Sequence, residues 1–205
     1  VYQDGDGLMD LPLPALPGRH QYANAAAAIS AVKAAGFALE ERAVETAMGS
    51  VFWPARLQRL TTGDLVTAAP AGSEIWLDGG HNPGAGEVIA EALAGFEERD
   101  PRPLYLVIGM INTKDPFGFF EHFAGLATYV YCAPIRGTEA FIDPVALASS
   151  AADAGLSAEP VSSIGEALAA ICMRARADQP PPRILIGGSL YFAGNALADN
   201  GTPPL

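Results

Sequence analysis

Half of the 205 residues are apolar, and 23 acidic against 12 basic side chains give a formal net charge of −11. That composition supports a packed core and excludes a largely disordered chain. It argues against a nucleic-acid partner, which needs a basic face, but leaves room for a nucleotide, because a few well-placed cations suffice for a phosphate.

In chain order, residues 1–18 read as a loop, with prolines at 12, 14 and 17. HQYANAAAAISAVKAAG reads as a helix, rich in the best helix former and closed by Gly36. LEERAVETAMGSV reads as a second helix that Pro54 stops. From Arg56 the texture changes. RLQRLTT and LVTAA suggest a strand pair turning at Gly63-Asp64. EIWLD is an apolar strand leading into GGHN, and Pro83 opens a helix to about residue 99. LYLVIG is a second buried strand, followed by MINTKD and a helix over residues 116–126. TYVYCAP is a third, followed by IRGTEAF and a helix from Pro144. A short strand over residues 159–162 precedes a helix over residues 164–176. RILIGG, the last buried strand, runs into a helix over SLYFAGNALA.

Continuous apolar strands alternating with amphipathic helices indicate an α/β fold: a mostly parallel, doubly wound sheet covered on both faces. Residues 55–205 fit that alternation. Residues 1–54 do not; they read as the last helices and linker of a preceding domain. The first ten residues have neither the basic nor the apolar segment of a signal peptide and do not begin with Met, so the chain is expected to start inside a longer protein. No apolar run approaches the ~20 residues of a membrane span, and no membrane partner is expected. Cys132 and Cys172 form no CxxC pair and read as two buried thiols in a reducing, cytoplasmic setting.

In open parallel sheets, ligands sit outside the carboxyl ends of the strands. Four such ends here carry glycine-rich or polar loops: Asp78 to Asn82, Gly109 to Asp115, Pro134 to Gly137, and Gly187 to Ser189. Asn82 with Pro83 makes a cap and first-turn pair, and Ser189 can cap the last helix likewise. Free backbone N–H groups at such helix starts favour anions. Several familiar patterns fail. With three histidines and no HxH or HExxH, Asp78 and His81 lack partners for a metal site, so no metal ligand is expected in this chain. Tyr191 stands where GxSxG needs its second glycine, and Gly84-Ala85-Gly86 continues to Ile89 instead of completing GxGxxG. The residues preceding the two lysines, Lys33 and Lys114, are Val32 and Thr113, so GxxxxGK[ST] is absent. Lys33 reads as a solvated helix residue.

GRHQYANAAAA, WPARLQ, LDGGHNP, IGMINTKD and GGSLYFAG occur in this order. Together they resemble the C-terminal part of the folylpolyglutamate synthase and dihydrofolate synthase family, in the Mur ligase superfamily, over roughly residues 11–198. Ala55 stands where the family's WPGR has Gly, and Gly80 where DGAHN has Ala. The resemblance implies a Rossmann-like C-terminal domain preceded by the tail of a central P-loop ATPase domain. It implies ATP and Mg²⁺ as cofactors, with the Mg²⁺ ligands upstream of this chain, and L-glutamate and a dihydropteroate or folate acid as the groups joined through an acyl phosphate. This chain alone is then expected to be inactive.

Residue by residue, the resemblance puts Asn24 against the nucleotide base, Arg56 on the ATP phosphates, and Asp78 at a ribose hydroxyl. It puts His81 near the reacting phosphate and the incoming glutamate, orienting groups or neutralising charge. It puts Lys114 and Ser189 at the glutamate or a phosphate, beside Asp115 and Tyr191. Trp53 and Trp76 read as hinge or core packing. Two rivals stay open: a peptidoglycan-precursor or cyanophycin-type ligase, whose DNPR-like motif is not found here, and a non-catalytic nucleotide-binding regulatory domain of the same fold. Whether the first glutamate, later ones or both are added, and the oligomeric state, stay open too.

Overall fold

The computed structural model describes residues 1–203, and the chain divides into two compact units, Val1–Trp53 and Pro54–Leu205. The first unit opens with a hairpin where a loop was expected. Strands β1 (Tyr2–Asp4) and β2 (Gly7–Met9) pair antiparallel, with Tyr2 opposite Met9. Each arm has three residues, too short for an alternating pattern to register. The Asp4-Gly5-Asp6-Gly7 turn is tied by the Asp6 N–H to the Asp4 carboxylate. Helix α1 (His20–Ala34) ends as expected at Gly36, whose φ of 85° suits the αL cap that closes a helix. Helix α2 (Glu41–Ser50) follows. Tyr2, Ile29 and Val44 form a small core between these pieces. Lys33 is not merely solvated: its ammonium pairs with Asp4 at 2.5 Å and Asp6 at 3.0 Å. That pair, with the Tyr2 hydroxyl, holds the Asp4 carboxyl down at about 2.

The second unit is built on one six-stranded sheet in the order β3-β4-β8-β5-β6-β7. Its strands are β3 (Gln58–Leu60), β4 (Glu74–Leu77), β5 (Leu104–Ile108), β6 (Tyr129–Cys132), β7 (Ala158–Pro160) and β8 (Arg183–Gly187). Only β3 runs antiparallel, against β4; β4, β8, β5, β6 and β7 are parallel neighbours. Side chains alternate across the sheet as strand geometry requires. Ile75, Leu77, Tyr105, Val107, Tyr131, Ile184 and Ile186 enter one core. Trp76, Leu106, Ile108, Val130, Cys132 and Leu185 enter the other. The four central strands are apolar on both faces because both faces are covered.

Helices α4 (Pro83–Glu97), α5 (Pro116–Phe120) and α6 (Pro144–Asp153) cover the second of those faces, through Ile89, Leu93, Phe119 and Leu147 among others. Helices α7 (Ile164–Arg174) and α8 (Leu190–Asp199) cover the first, through Leu168, Ile171, Phe192 and Leu197. Asn82, Asp115 and Asp143 each cap their helix by accepting a backbone N–H, and each is followed by Pro in the first turn. The chain thus steps from β4 over β8's place to β5, β6 and β7, and then returns to insert β8 between β4 and β5.

Two of the expected elements are corrected in this unit, and Cys172, expected to be buried, is exposed. Residues 64–68 form a short helix, α3 (Asp64–Ala68), instead of a strand. The side chain of Asn200, 2 % exposed, accepts the Leu65 N–H and donates to the Thr62 carbonyl, which fixes a helical start where a hairpin turn was read. Helix α5 also ends early, at Phe120, and continues as a 3₁₀ turn over Glu121–Phe123. The three-residue repeat of that turn sends Phe120 and Phe123 to the same side, and both are fully buried.

Candidate active site

The parallel strands deliver their carboxyl ends to one edge of the sheet. The insertion of β8 makes that edge tight. A Cβ on Gly187 would lie 2.7 Å from the Asp78 carbonyl oxygen, and one on Gly188 (φ 94°) would lie 2.6 Å from Ile108. Glycine is therefore required where the ends of β4, β8 and β5 converge. The Asp78 N–H donates to the Ile186 carbonyl and the Gly109 N–H to the Gly187 carbonyl, so the ladder continues into the loops.

Around Asp78 the loop is organised from within. The carboxylate is 7 % exposed; Oδ2 accepts the Leu57 N–H at 2.8 Å and Oδ1 the Gly80 N–H at 2.7 Å. The residue expected at a ribose hydroxyl thus turns inward, because a buried carboxylate needs donors and two backbone amides supply them. His81 is half-buried, and its Nδ1 lies 3.0 Å from the Gly79 carbonyl oxygen. A carbonyl only accepts, so Nδ1 carries the hydrogen. Nε2 makes no hydrogen bond among the described residues. Asn82 caps α4 through Ala85.

Arg56 reaches this loop from the segment before β3. Its Nη1 donates to its neighbour's carbonyl, that of Ala55, at 3.0 Å, and a Cβ on Gly79 would sit 3.3 Å from the same nitrogen. No carboxylate pairs with the guanidinium among the described residues. Lys114, half-buried after β5, likewise has an ammonium with no ion pair or hydrogen bond there; its backbone N–H bonds the Ile111 carbonyl. Asp115 is committed to the α5 cap through Gly118. Ser189 is 2 % exposed, and its hydroxyl accepts the Tyr191 N–H as the cap of α8. The expected glutamate contact at Ser189 is therefore a buried cap, while Leu190 and Tyr191 beside it are the exposed groups.

The second unit therefore brings Arg56, Asp78, His81, Lys114 and Ser189 to the same sheet edge. Asn24 belongs to the first unit, where it is exposed on α1 and donates to the Gln21 side chain at 3.0 Å. Gln58 is a contact that the sequence reading did not single out: its Oε1 accepts the Ala55 N–H at 3.1 Å. The signal was an amide side chain three residues beyond the backbone group it closes upon. No cluster of three or more His, Cys, Asp or Glu suited to a metal ion occurs among the described residues.

A family model described as "Mur ligase, glutamate ligase domain" matches residues 55–190. The chain belongs to the Mur ligase glutamate ligase domain family. Dihydrofolate synthase/folylpolyglutamate synthase of Escherichia coli (strain K12) is 29 % identical to this glutamate ligase domain chain over 138 residues, 67 % of the chain and 29 % of the relative. A probable bifunctional folylpolyglutamate synthase/dihydropteroate synthase of Haloferax volcanii is 30 % identical over 190 residues, 92 % of the chain and 20 % of the relative. Among solved structures, Mycobacterium tuberculosis folylpolyglutamate synthase complexed with ADP and AMPPCP superposes with a TM-score of 0.77 at 26 % identity, covering all of the chain and 43 % of that protein. Escherichia coli FolC in complex with DHPP and ADP gives 0.73 at 25 %, covering 96 % and 42 %. The chain spans less than half the length of each of these relatives. The matched residues of the glutamate ligase domain begin at Ala55, take in the strained Ala55–Leu57 turn and the Asp78–Asn82 loop, and end at Leu190 in the first turn of α8.

Proposed function

We propose that this chain is the glutamate ligase part of an ATP-dependent acid–amino-acid ligase that joins L-glutamate to a dihydropteroate or folate acid. Residues 1–54 are read as the closing helices and linker of its ATP-binding domain, and residues 55–205 as the glutamate ligase domain. The observation that carries this reading is the guanidinium of Arg56, without a carboxylate partner among the described residues and laid against Gly79, whose carbonyl oxygen holds the His81 ring. Nucleotide-bound relatives of the same fold and the ordered motifs support it. ATP supplies the activation of the acid as an acyl phosphate, which the amine of glutamate then attacks.

The roles of the chain's own residues follow from their chemistry. Arg56 offers a fixed charge and a planar fork to phosphate oxygens. His81 holds its Nδ1 hydrogen on the Gly79 carbonyl, which leaves Nε2 to hold or accept a proton beside the reacting groups. Lys114 meets a carboxylate or phosphate as a point charge. Ser189 acts through α8, whose first turn it caps, and Asn24 is read against the nucleotide base. The ligands of Mg²⁺ are read as belonging to the P-loop domain of the intact enzyme. The two free cysteines suit a reducing compartment, and we read the protein as cytoplasmic.

The test is Arg56→Ala in a ligase that contains this domain together with its P-loop domain. Losing one positioned charge on a transferring phosphoryl group lowers kcat by about 10²–10³-fold. A regulatory domain would leave the rate within a small factor of wild type. The 205-residue chain alone is expected to show no glutamate-dependent ATP hydrolysis, and clear hydrolysis would overturn this division of labour.

A further inference from the structure

Ala55 and Leu57, on either side of Arg56, both adopt left-handed backbone conformations, with φ of 54° and 42°. L-residues with a Cβ enter that region at a steric cost, and two in three residues persist only where their surroundings hold them. Both are buried, at 3 % and 1 % exposure. Three of their backbone groups are tied to neighbours. The Ala55 N–H donates to Gln58 Oε1 at 3.1 Å, the Ala55 carbonyl accepts the Gly79 N–H at 3.0 Å, and the Leu57 N–H donates to Asp78 Oδ2 at 2.8 Å. The other oxygen of Asp78 closes its own loop on Gly80.

We infer that Asp78 and Gln58 are positioning residues, which hold the Ala55–Leu57 turn in its strained form so that Arg56 is presented over Gly79. The inference rests on the reading of Arg56 as a phosphate-binding cation. Asp78 does its work through the Leu57 amide, and its two carboxylate oxygens are spent on backbone donors. Gln58 does its work through the Ala55 amide. The side chain of Arg56 is folded back on the Ala55 carbonyl, a neutral acceptor that a phosphate oxygen displaces without breaking an ion pair. Glycine at position 55 would adopt the same φ without that cost. Tethers and strain are therefore coupled: weakening a tether matters most while position 55 carries a Cβ.

The test uses the full 205-residue chain, with tripolyphosphate as probe. Amide exchange of Leu57, the Arg56 Nε–H resonance and the tripolyphosphate Kd are followed by NMR in wild type, Gln58→Ala, Asp78→Asn, Gln58→Ala with Ala55→Gly, and Arg56→Ala. Amides of β5 and β8 near Arg183 report that the fold is intact, and Gln58→Ala carries the test should Asp78→Asn fail to fold. Loosening the turn should speed Leu57 exchange by about tenfold or more. It should raise Kd by about fivefold as a positioned charge-assisted contact is lost. Ala55→Gly should restore most of the Gln58→Ala loss, which a merely structural role of Gln58 would not predict. Unchanged Leu57 exchange and Kd in both tether variants overturn the inference. If Arg56→Ala leaves Kd unchanged although the tether variants loosen the turn, the phosphate role of Arg56 is refuted.

Discussion

Arg183 offers the sharpest test of how the sheet is held at the end remote from the candidate site. Its side chain is 3 % exposed and lies between Glu74 at 2.9 Å, Glu97 at 3.5 Å and Asp100 at 3.9 Å. The guanidinium also donates to the Asp100 carbonyl and sits 5.5 Å from the Phe96 ring centroid. Glu74, 12 % exposed, keeps only Arg59 as an ion-pair partner, beside the Trp76 Nε1–H at 3.3 Å, if Arg183 is replaced by Met, and Arg59 is half in solvent at 51 %. Breaking a buried pair from one side costs about 3–5 kcal/mol. The remaining exposed pair offsets up to about 1 kcal/mol, so Arg183→Met should destabilise by about 3 kcal/mol. At ~2–4 °C per kcal/mol for a chain of this size, Tm falls by about 6–12 °C.

The pH dependence gives a second, independent readout. Burial pushes the Glu74 carboxyl up, but hydrogen bonds from Arg183 and Trp76 and the charges of Arg59 and Arg183 outweigh it, and the net shift is downward from 4.5. The unfolded state then takes up the proton first as pH falls. The stability supplied by Glu74 is present above 4.5 and is lost as pH drops through the lower folded value. Arg183→Met removes the largest of the contributions that lower the Glu74 carboxyl, so protonating Glu74 weakens the variant less than it weakens wild type. Urea unfolding followed by circular dichroism at pH 7 and pH 4 should show the gap between the two proteins shrinking at the lower pH. A gap below ~1 kcal/mol at pH 7, or one of equal size at both pH values, would refute the reasoning.

Three further outcomes follow from named contacts. A Cβ at Gly80 would lie 2.6 Å from Ile89 Cδ1 and 2.9 Å from Ala85 Cβ; Gly80→Ala should cost about 1–3 kcal/mol, and a double-mutant cycle with Ile89→Val, which removes that Cδ1, should show favourable coupling of about 1 kcal/mol. Asn200→Ala strands the Leu65 N–H and the Thr62 carbonyl, so chemical denaturation should report a loss of about 1–3 kcal/mol, with faster amide exchange at Leu65. Burial pushes the Cys132 thiol up to about 12, whereas Cys172 is exposed; a thiol-specific disulfide reagent at pH 8 should titrate Cys172 alone in the native chain and Cys132 as well in denaturant.

Much of the second unit was legible along the chain. Asn82-Pro83, Asp115-Pro116 and Asp143-Pro144 announce helix starts whose caps form as local chemistry requires. The uninterrupted apolar runs of β4, β5, β6 and β8 require cover on both faces and hence a parallel sheet between helices. Asp78, His81, Lys114 and Ser189 lie at strand ends or helix starts that those local rules identify, whereas Arg56 was singled out only by the ordered motifs of the family resemblance. The expectation of Cys172 as a buried thiol failed, since helix period alone does not fix how far the last turn of α7 is covered.

What the chain could not disclose locally depends on partners distant in sequence. Asn200 converts residues 64–68 from an apparent strand into α3 through groups that lie over a hundred positions away. The return of β8 between β4 and β5 sets Gly187 against Asp78 and makes one crest of separate loops. Within that crest Asp78 turns inward, because the Leu57 and Gly80 amides meet it there, and Ala55 and Leu57 accept left-handed backbones that local preference opposes. Caps and periodicity act within a few residues and can be read from them; which buried polar group meets which donor, and where strain is tolerated, is decided only when the sheet has closed around both.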